Sequence, residues 1–201
     1  MPAARSLSLL LALFSALATA AAAEARGDGS AEIRRAGCRI YTERVDANGV
    51  ATVTADCRWP LELEAVLETL RSPQKLTAAL TSLGDWRRLP DGRVVQVHRP
   101  GWPLGDRQVT LDWRERRLPA GGVRFEYRRA ARQEPLAEGR VGIREDEGRW
   151  EIRRDGARGT RLVYTSRYDA GGALKPFLVR RFQKHGIASS LEELRTAIAA
   201  R

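Results

Sequence analysis

Two cysteines, three lysines and two histidines are all that this 201-residue chain has of three residue types that often carry chemistry. There is no C-x-x-C, which argues against a dithiol redox role. There is no G-x-S-x-G, so the serine-hydrolase elbow is missing, and there is no H-x-x-x-H. His98 and His185 are the only imidazoles, and His98 is the better candidate for acid–base work. Beyond the amino-terminal residues no apolar run is long enough to span a membrane. No arginine run is interleaved with aromatics and no nucleic-acid motif occurs, which excludes a nucleic-acid partner. Lysine is so scarce that 32 of the 35 basic residues are arginine, a bias that points to a GC-rich genome. The net charge of +10 is scattered along the chain. It reads as a solvated surface with, at most, a loose attraction to anionic membranes. Nothing marks a cofactor site, and a monomer is expected.

What is present begins with an address. Arg5 supplies a short positive start, Leu7 to Ala18 is mostly apolar, and Ala18-Thr19-Ala20-Ala21-Ala22-Ala23 offers small-x-small cleavage sites. Residues 1–23 are expected to be a secretory signal cut between Ala20 and Ala25, giving a periplasmic or secreted protein. No cysteine directly follows the run, which argues against a lipid anchor. The remaining 24–201 is one domain's worth of chain.

Asp46-Ala47-Asn48-Gly49 separates two strand-like segments, Arg34–Val45 and Val50–Arg58. If Val45 faces Val50, then Cys38 faces Cys57, and an oxidising compartment would join them. Leu61–Leu70 repeats apolar residues at helical spacing, and Ser72-Pro73 opens a second short helix that ends at Gly84. From Asp85 the period is two. Hairpins are expected about Pro90-Asp91-Gly92, Leu118–Gly122 and Glu145-Asp146-Glu147-Gly148. The acidic triplet in the last of these reads as a solvated turn and not as a metal site. Alternation puts Val109, Leu111 and Trp113 on one face, as it does Val123, Phe125 and Tyr127, and Trp150 and Ile152. Val94–His98 does not alternate cleanly. A final strand, Arg161–Tyr168, runs through Asp169-Ala170-Gly171-Gly172 into a helix from Leu174 to Ile198. Leu178 and Phe182 fall opposite Ile187, Leu191, Leu194 and Ile198 on that helix, so a bend or break near Gly186 is expected. The fold class is α+β, a curved antiparallel sheet wrapped on a long carboxy-terminal helix.

The loop Arg99–Arg107 holds two prolines, two glycines, Trp102 and Leu104. Arg107 shares the parity of Val109, so it either points inward or reaches solvent from a strand end. Trp102-Pro103-Leu104-Gly105-Asp106-Arg107 resembles the W-P-L-x-x-R-D motif of START domains, the lipid-transfer domains related to steroidogenic acute regulatory protein. Asp169-Ala170-Gly171-Gly172-Ala173-Leu174, Phe177–Phe182 and Leu191-Glu192-Glu193-Leu194-Arg195 resemble that family's ending, D-P-G-G-x-[IL]-P-x-W-L-V-N-R-F followed by L-x-x-L-R. Gln108, Ala170, Phe177 and Arg180 depart from it.

The resemblance implies a helix-grip fold around a hydrophobic tunnel that takes a lipid or other apolar molecule. Arg107 would be the interior polar group, with Trp102 and Leu104 at the entrance. The expected lining is Val109, Leu111, Trp113, Phe125, Tyr127, Trp150, Ile152, Phe177, Leu178 and Phe182. Two alternatives stand beside this one. They are an enzyme of the same superfamily, of aromatase, cyclase or hydrolase type, and an envelope interaction domain with a filled core.

Overall fold

Asp46 closes the first hairpin by accepting hydrogen bonds from the backbone N–H of Asn48 and of Val50, both at 2.9 Å. The structure, a computed structural model, describes residues 32–100, 105–172, 174 and 176–201, with the backbone alone for Ala120, Pro176, Phe177, Leu178 and Arg181. The expected signal segment, Trp102, Leu104 and the side chains of Phe177 and Leu178 lie outside the described residues. Residues 32–201 form one compact unit.

The hairpin strands are β2 (Cys38–Val45) and β3 (Ala51–Trp59), preceded by a short β1 (Ile33–Arg35). The first expected strand is thus split, because Ala36 and Gly37 both take positive φ and turn the chain. Val45 pairs with Ala51, not Val50, and a bulge between Thr42 and Arg44 takes up the extra residue. From Thr42 back, the register is the expected one, so Cys38 faces Cys57 and the two form a disulfide.

Helices α1 (Leu63–Arg71) and α2 (Pro73–Ala79) follow. Leu63, Val66, Leu67 and Leu70 are buried, as their spacing predicts. The Ser72 side chain caps α2 by accepting from the Lys75 N–H at 3.2 Å, with Pro73 in the first turn. Gly84 does not end this helix. It lies inside β4 (Leu83–Arg88), where the Arg99 side chain packs across it so closely that a Cβ would sit 2.3 Å from Nε.

The meander continues as β5 (Val94–His98), β6 (Arg107–Arg117), β7 (Val123–Arg129), β8 (Val141–Gly142), β9 (Glu145–Asp155) and β10 (Gly159–Asp169). The sheet order is β1-β2-β3-β10-β9-β7-β6-β5-β4, antiparallel throughout, except that β8 runs parallel to the start of β6. Val94–His98 lacks clean alternation because both of its faces are covered. Val94, Val95 and Val97 are all buried, and the 130–135 segment bonds to Arg93 and to Thr110 beside this strand.

Glu145-Asp146-Glu147-Gly148 is not a turn. These residues are the first rungs of β9, pairing with β10 and, from Glu147, with β7. Glu145 and Glu147 face outward, where Arg167 pairs with both and offsets their repulsion. Gly148 is there for space, since a Cβ would lie 2.6 Å from the Tyr127 hydroxyl.

Gly171 and Gly172 take φ of 71° and 68° and turn the chain into α3 (Pro176–Ala199). This helix runs unbroken through Gly186, so the expected break is absent. It buries Ile187, Ala188, Leu191, Leu194 and Ile198 against α1, α2 and the β1–β2–β3–β10 half of the sheet. Phe182, on the opposite stripe, is 55% exposed instead of buried. One continuous helix presents one face to the core, and the longer stripe occupies it.

The disulfide closes a loop across a sequence separation of 19. Replacing both cysteines by serine should lower stability by about 3 kcal/mol in urea unfolding. Far-UV circular dichroism of the folded state should not change, because the paired strands remain.

Candidate interior site beneath the carboxy-terminal helix

Register decides which side chains meet inside. Directly paired residues share a face. The pairs His98–Arg107, Gln96–Val109 and Val94–Leu111 therefore align β5 with the inward residues of β6. Trp113–Tyr127, Phe125–Trp150 and Val123–Ile152 carry the same face across β7 and β9. Ile152–Leu162, Trp150–Tyr164, Gly148–Ser166 and Asp146–Tyr168 extend it to β10. Every alternation read from the sequence for β6, β7 and β9 is on this face, and Arg107 is on it too.

The inward face has two halves. Toward α1 and the end of α3 it is solid: Trp59, Val123, Phe125, Ile152, Leu162, Leu191 and Leu194 are all buried in one apolar cluster. Phe125 and Ile152, expected to line a tunnel, are placed in this filled core. Toward the start of α3 the face is aromatic and polar. Val109, Leu111, Tyr127 and Ile143 form a second buried cluster, with Trp113, Trp150, Tyr164 and Tyr168 packed on it. Trp113 stacks on Tyr127 at 5.6 Å between ring centroids, and Trp150 on Tyr164 at 4.0 Å. The Tyr127 and Tyr164 hydroxyls share a hydrogen bond of 2.8 Å. Trp113, Trp150, Tyr164 and Tyr168 face inward yet are only partly buried. Large side chains that close-pack an interior are normally inaccessible, so these four are not packed over completely.

The polar groups gather at one end of that space. His98 stacks on Tyr168 at 6.0 Å, and its Nε2 lies 3.9 Å from Asp146 Oδ2. Protein surrounds the His98 ring, yet 32% of its side-chain surface stays accessible. Burial drives His98 down to about 4 and Asp146 up to about 8, with the Glu147 charge adding to the latter. At neutral pH the pair is an unprotonated imidazole beside a protonated carboxyl. Burial, followed by the field of Asp146, pushes Tyr164 up to about 12. The Arg107 Nη1 donates to the Gly105 carbonyl at 2.6 Å, while its Nε finds no acceptor. Asp146 Oδ2 and Gln183 Oε1 are also buried without hydrogen-bond partners. Gln183 reaches down from α3, its Nε2 donating to the Ser166 carbonyl at 3.3 Å. Among the described residues no group of three or more His, Cys, Asp or Glu is placed to hold a metal ion.

Sequence reasoning missed Tyr164, Ser166 and Tyr168, whose shared parity with Leu162 along β10 was available as a signal. It missed Asp146 because an acidic triplet before glycine looks like a turn.

A curved antiparallel sheet gripping a long terminal helix defines the helix-grip class. The chain belongs to the polyketide cyclase/dehydrase and lipid transport family, whose model matches residues 61–199. The fold is similar to that of the STAR-related lipid transfer protein of Xanthomonas axonopodis (18% identity, TM-score 0.74, 86% of this chain and 99% of that one). Human StAR-related lipid transfer protein 5 is similar as well (13% identity, TM-score 0.76, covering 96% and 99%). So is human STARD10 (13% identity, TM-score 0.75, covering 85% and 73%). No curated protein matches.

The Asp146 shift has a sign that stability measurements read. Its folded pKa, about 8, is above the ordinary carboxylate value of 3.8. Its contribution to stability is therefore full below the unfolded value and is lost as pH rises toward 8. His98, lowered to about 4, is mostly neutral in both states above the ordinary imidazole value of 6.5. Between pH 6.5 and 8 the difference between wild type and Asp146→Asn is thus due to Asp146. The variant's thermal midpoint should gain on the wild type across that range, whereas parallel curves would place the proton elsewhere.

Proposed function

We propose that the protein binds a lipid or other apolar small molecule between the inward face of β5, β6, β7, β9 and β10 and the first half of α3. The observation that carries this reading is the set of inward aromatic side chains left partly accessible, Trp113, Trp150, Tyr164 and Tyr168, beside buried polar atoms without partners. An apolar wall with a few converging polar groups is the usual make-up of a small-molecule site. The family's lipid-transport members and the lipid-transfer proteins of similar fold support the same class of ligand.

The signal-like amino terminus supports a role as an envelope carrier that works after export. Exposed Phe182, together with the net charge of +10, supports a peripheral contact with an anionic membrane. A second reading, proton-transfer chemistry of the cyclase or dehydrase kind, draws on the Asp146–His98 pair.

Native mass spectrometry of the protein isolated from the envelope fraction should show an adduct of lipid mass that organic extraction releases. After extraction the protein should take apolar ligand back from vesicles, with a change in tryptophan fluorescence from Trp113 and Trp150. An interior that yields and takes up nothing would overturn the carrier reading. Turnover abolished by His98→Ala or Asp146→Asn would favour the second.

A further inference from the structure

Opposite charges face each other across much of the outward side of the sheet. Asp112, Arg128, Glu147 and Arg167 alternate in sign across β6, β7, β9 and β10, each directly paired with the next. Arg114, Glu126 and Arg149 do the same across β6, β7 and β9. Such pairs stabilise a sheet, whereas like charges directly opposite each other destabilise it. At one end of the same face arginine meets arginine. The direct pairs Arg34–Arg39, Arg58–Arg161 and Arg161–Arg153 lie beside the β1–β2 and β9–β10 turns. Arg116–Arg124 continues the pattern at the β6–β7 turn. This end is remote from the interior polar cluster, since Asp146 and Arg153 stand about 23 Å apart along β9.

The neighbouring carboxylates do not cancel this charge. Asp56 is taken by Arg161, which donates to it twice, at 3.0 and 2.8 Å. Arg34 and Arg35 pair with Glu32 and Glu192. Arg39, Arg58 and Arg153 approach Glu32, Asp155 and Glu151 at 3.7, 3.8 and 3.6 Å, beyond hydrogen-bonding distance. A groove of about 510 Å³ opens at this corner, lined by Arg34, Arg35, Arg39, Arg58, Asp56 and the Ala36-Gly37-Cys38 turn. The backbone beneath it is fixed. Trp59 Nε1 donates to the Ala36 carbonyl at 2.9 Å, and Cys38 is tied to Cys57.

We propose that this groove is a second binding site, independent of the interior one, for an anion that carries two or more phosphate groups. Guanidinium groups take phosphate oxygens in two-pronged forks. Several of them on one rigid corner suit an anion that offers more than one such group, and its charge would offset the repulsion built into the arginine pairs. A lipid head group and a soluble molecule can present the same phosphate chemistry.

The test titrates the purified protein, at matched low ionic strength, with pyrophosphate, orthophosphate and citrate. Co-sedimentation follows, with phosphatidylcholine vesicles that contain or lack cardiolipin, whose head group holds two phosphates. Pyrophosphate should bind about tenfold or more tighter than orthophosphate, as two charge-assisted forks exceed one. Arg39→Glu and Arg58→Glu should each remove most of that preference. Arg132→Glu makes the same change of net charge at an exposed position on the 130–135 segment and should leave the preference intact. Circular dichroism confirms that each variant is folded. Sedimentation that needs both cardiolipin and Arg58 identifies a lipid head group as the source, and pyrophosphate binding without sedimentation identifies a soluble one. Pyrophosphate no tighter than orthophosphate, together with no cardiolipin-dependent sedimentation, would overturn the site. So would a loss with Arg132→Glu as large as with Arg58→Glu, which would reduce the effect to net charge. Citrate bound as tightly as pyrophosphate would overturn the phosphate assignment. The wild-type comparisons decide the matter even if a variant fails to fold, and none of these outcomes bears on the interior ligand.

Discussion

The seating of the second half of α3 on the apolar half of the sheet is the interaction on which the rest depends. Leu191, Leu194 and Ile198 pack into the cluster that also holds Trp59, Val66, Leu67, Ile152 and Leu162. At the rim, Glu193 accepts from the backbone N–H and the hydroxyl of Thr81, both at 2.8 Å, and Glu192 pairs with Arg35. Apolar burial supplies most of the free energy and the rim bonds fix the rotation of the helix. Because α3 is continuous, fixing its second half carries its first half over the polar and aromatic end of the sheet. The helix therefore needs no dense packing there, and an interior space is compatible with a stable fold.

That division puts different physics at the two ends of one face. Where Phe125 and Ile152 sit, side chains interlock and water is excluded. Where His98, Arg107, Asp146 and Tyr168 sit, polar atoms are withdrawn from water without full repayment in hydrogen bonds. Such groups cost stability unless a ligand, ordered water or a proton offsets them. Asp146 uses the proton, which is why burial lifts it to about 8. Arg107 instead keeps one hydrogen bond, from Nη1 to the Gly105 carbonyl, and a buried Nε–H without an acceptor.

Much of the fold was legible in the chain. Alternation along Val109–Trp113, Val123–Tyr127 and Trp150–Ile152 reports burial of one sheet face, and a period of two leaves little room for error once a strand is recognised. The Cys38–Cys57 pairing came out as expected although the turn register was off by one. The bulge near Glu43 restored the count before Cys38 was reached. Errors came where a local signal competes with a distant partner. Glu145-Asp146-Glu147-Gly148 has turn composition, but Tyr127, Ser166 and Tyr168 hold it as strand, and Gly148 yields space to the Tyr127 ring. Gly84 resembles a helix stop and is a strand residue under Arg99. The two apolar stripes on α3 suggested a break, yet the helix stays whole and leaves Phe182 in solvent.

The sequence alone determined the broad order of elements, the sheet face that turns inward, the turn at Gly171-Gly172 and the disulfide pair. These follow from nearest-neighbour geometry: side-chain period, turn chemistry and strand register. Tertiary structure alone decided which stripe of α3 is buried and that Asp146 lies inside next to His98. It also decided that the inward face is solidly packed at one end and leaves Trp113, Trp150, Tyr164 and Tyr168 partly accessible at the other. Those outcomes depend on how volumes from segments far apart in the chain fit together, and neither spacing nor composition encodes that fit.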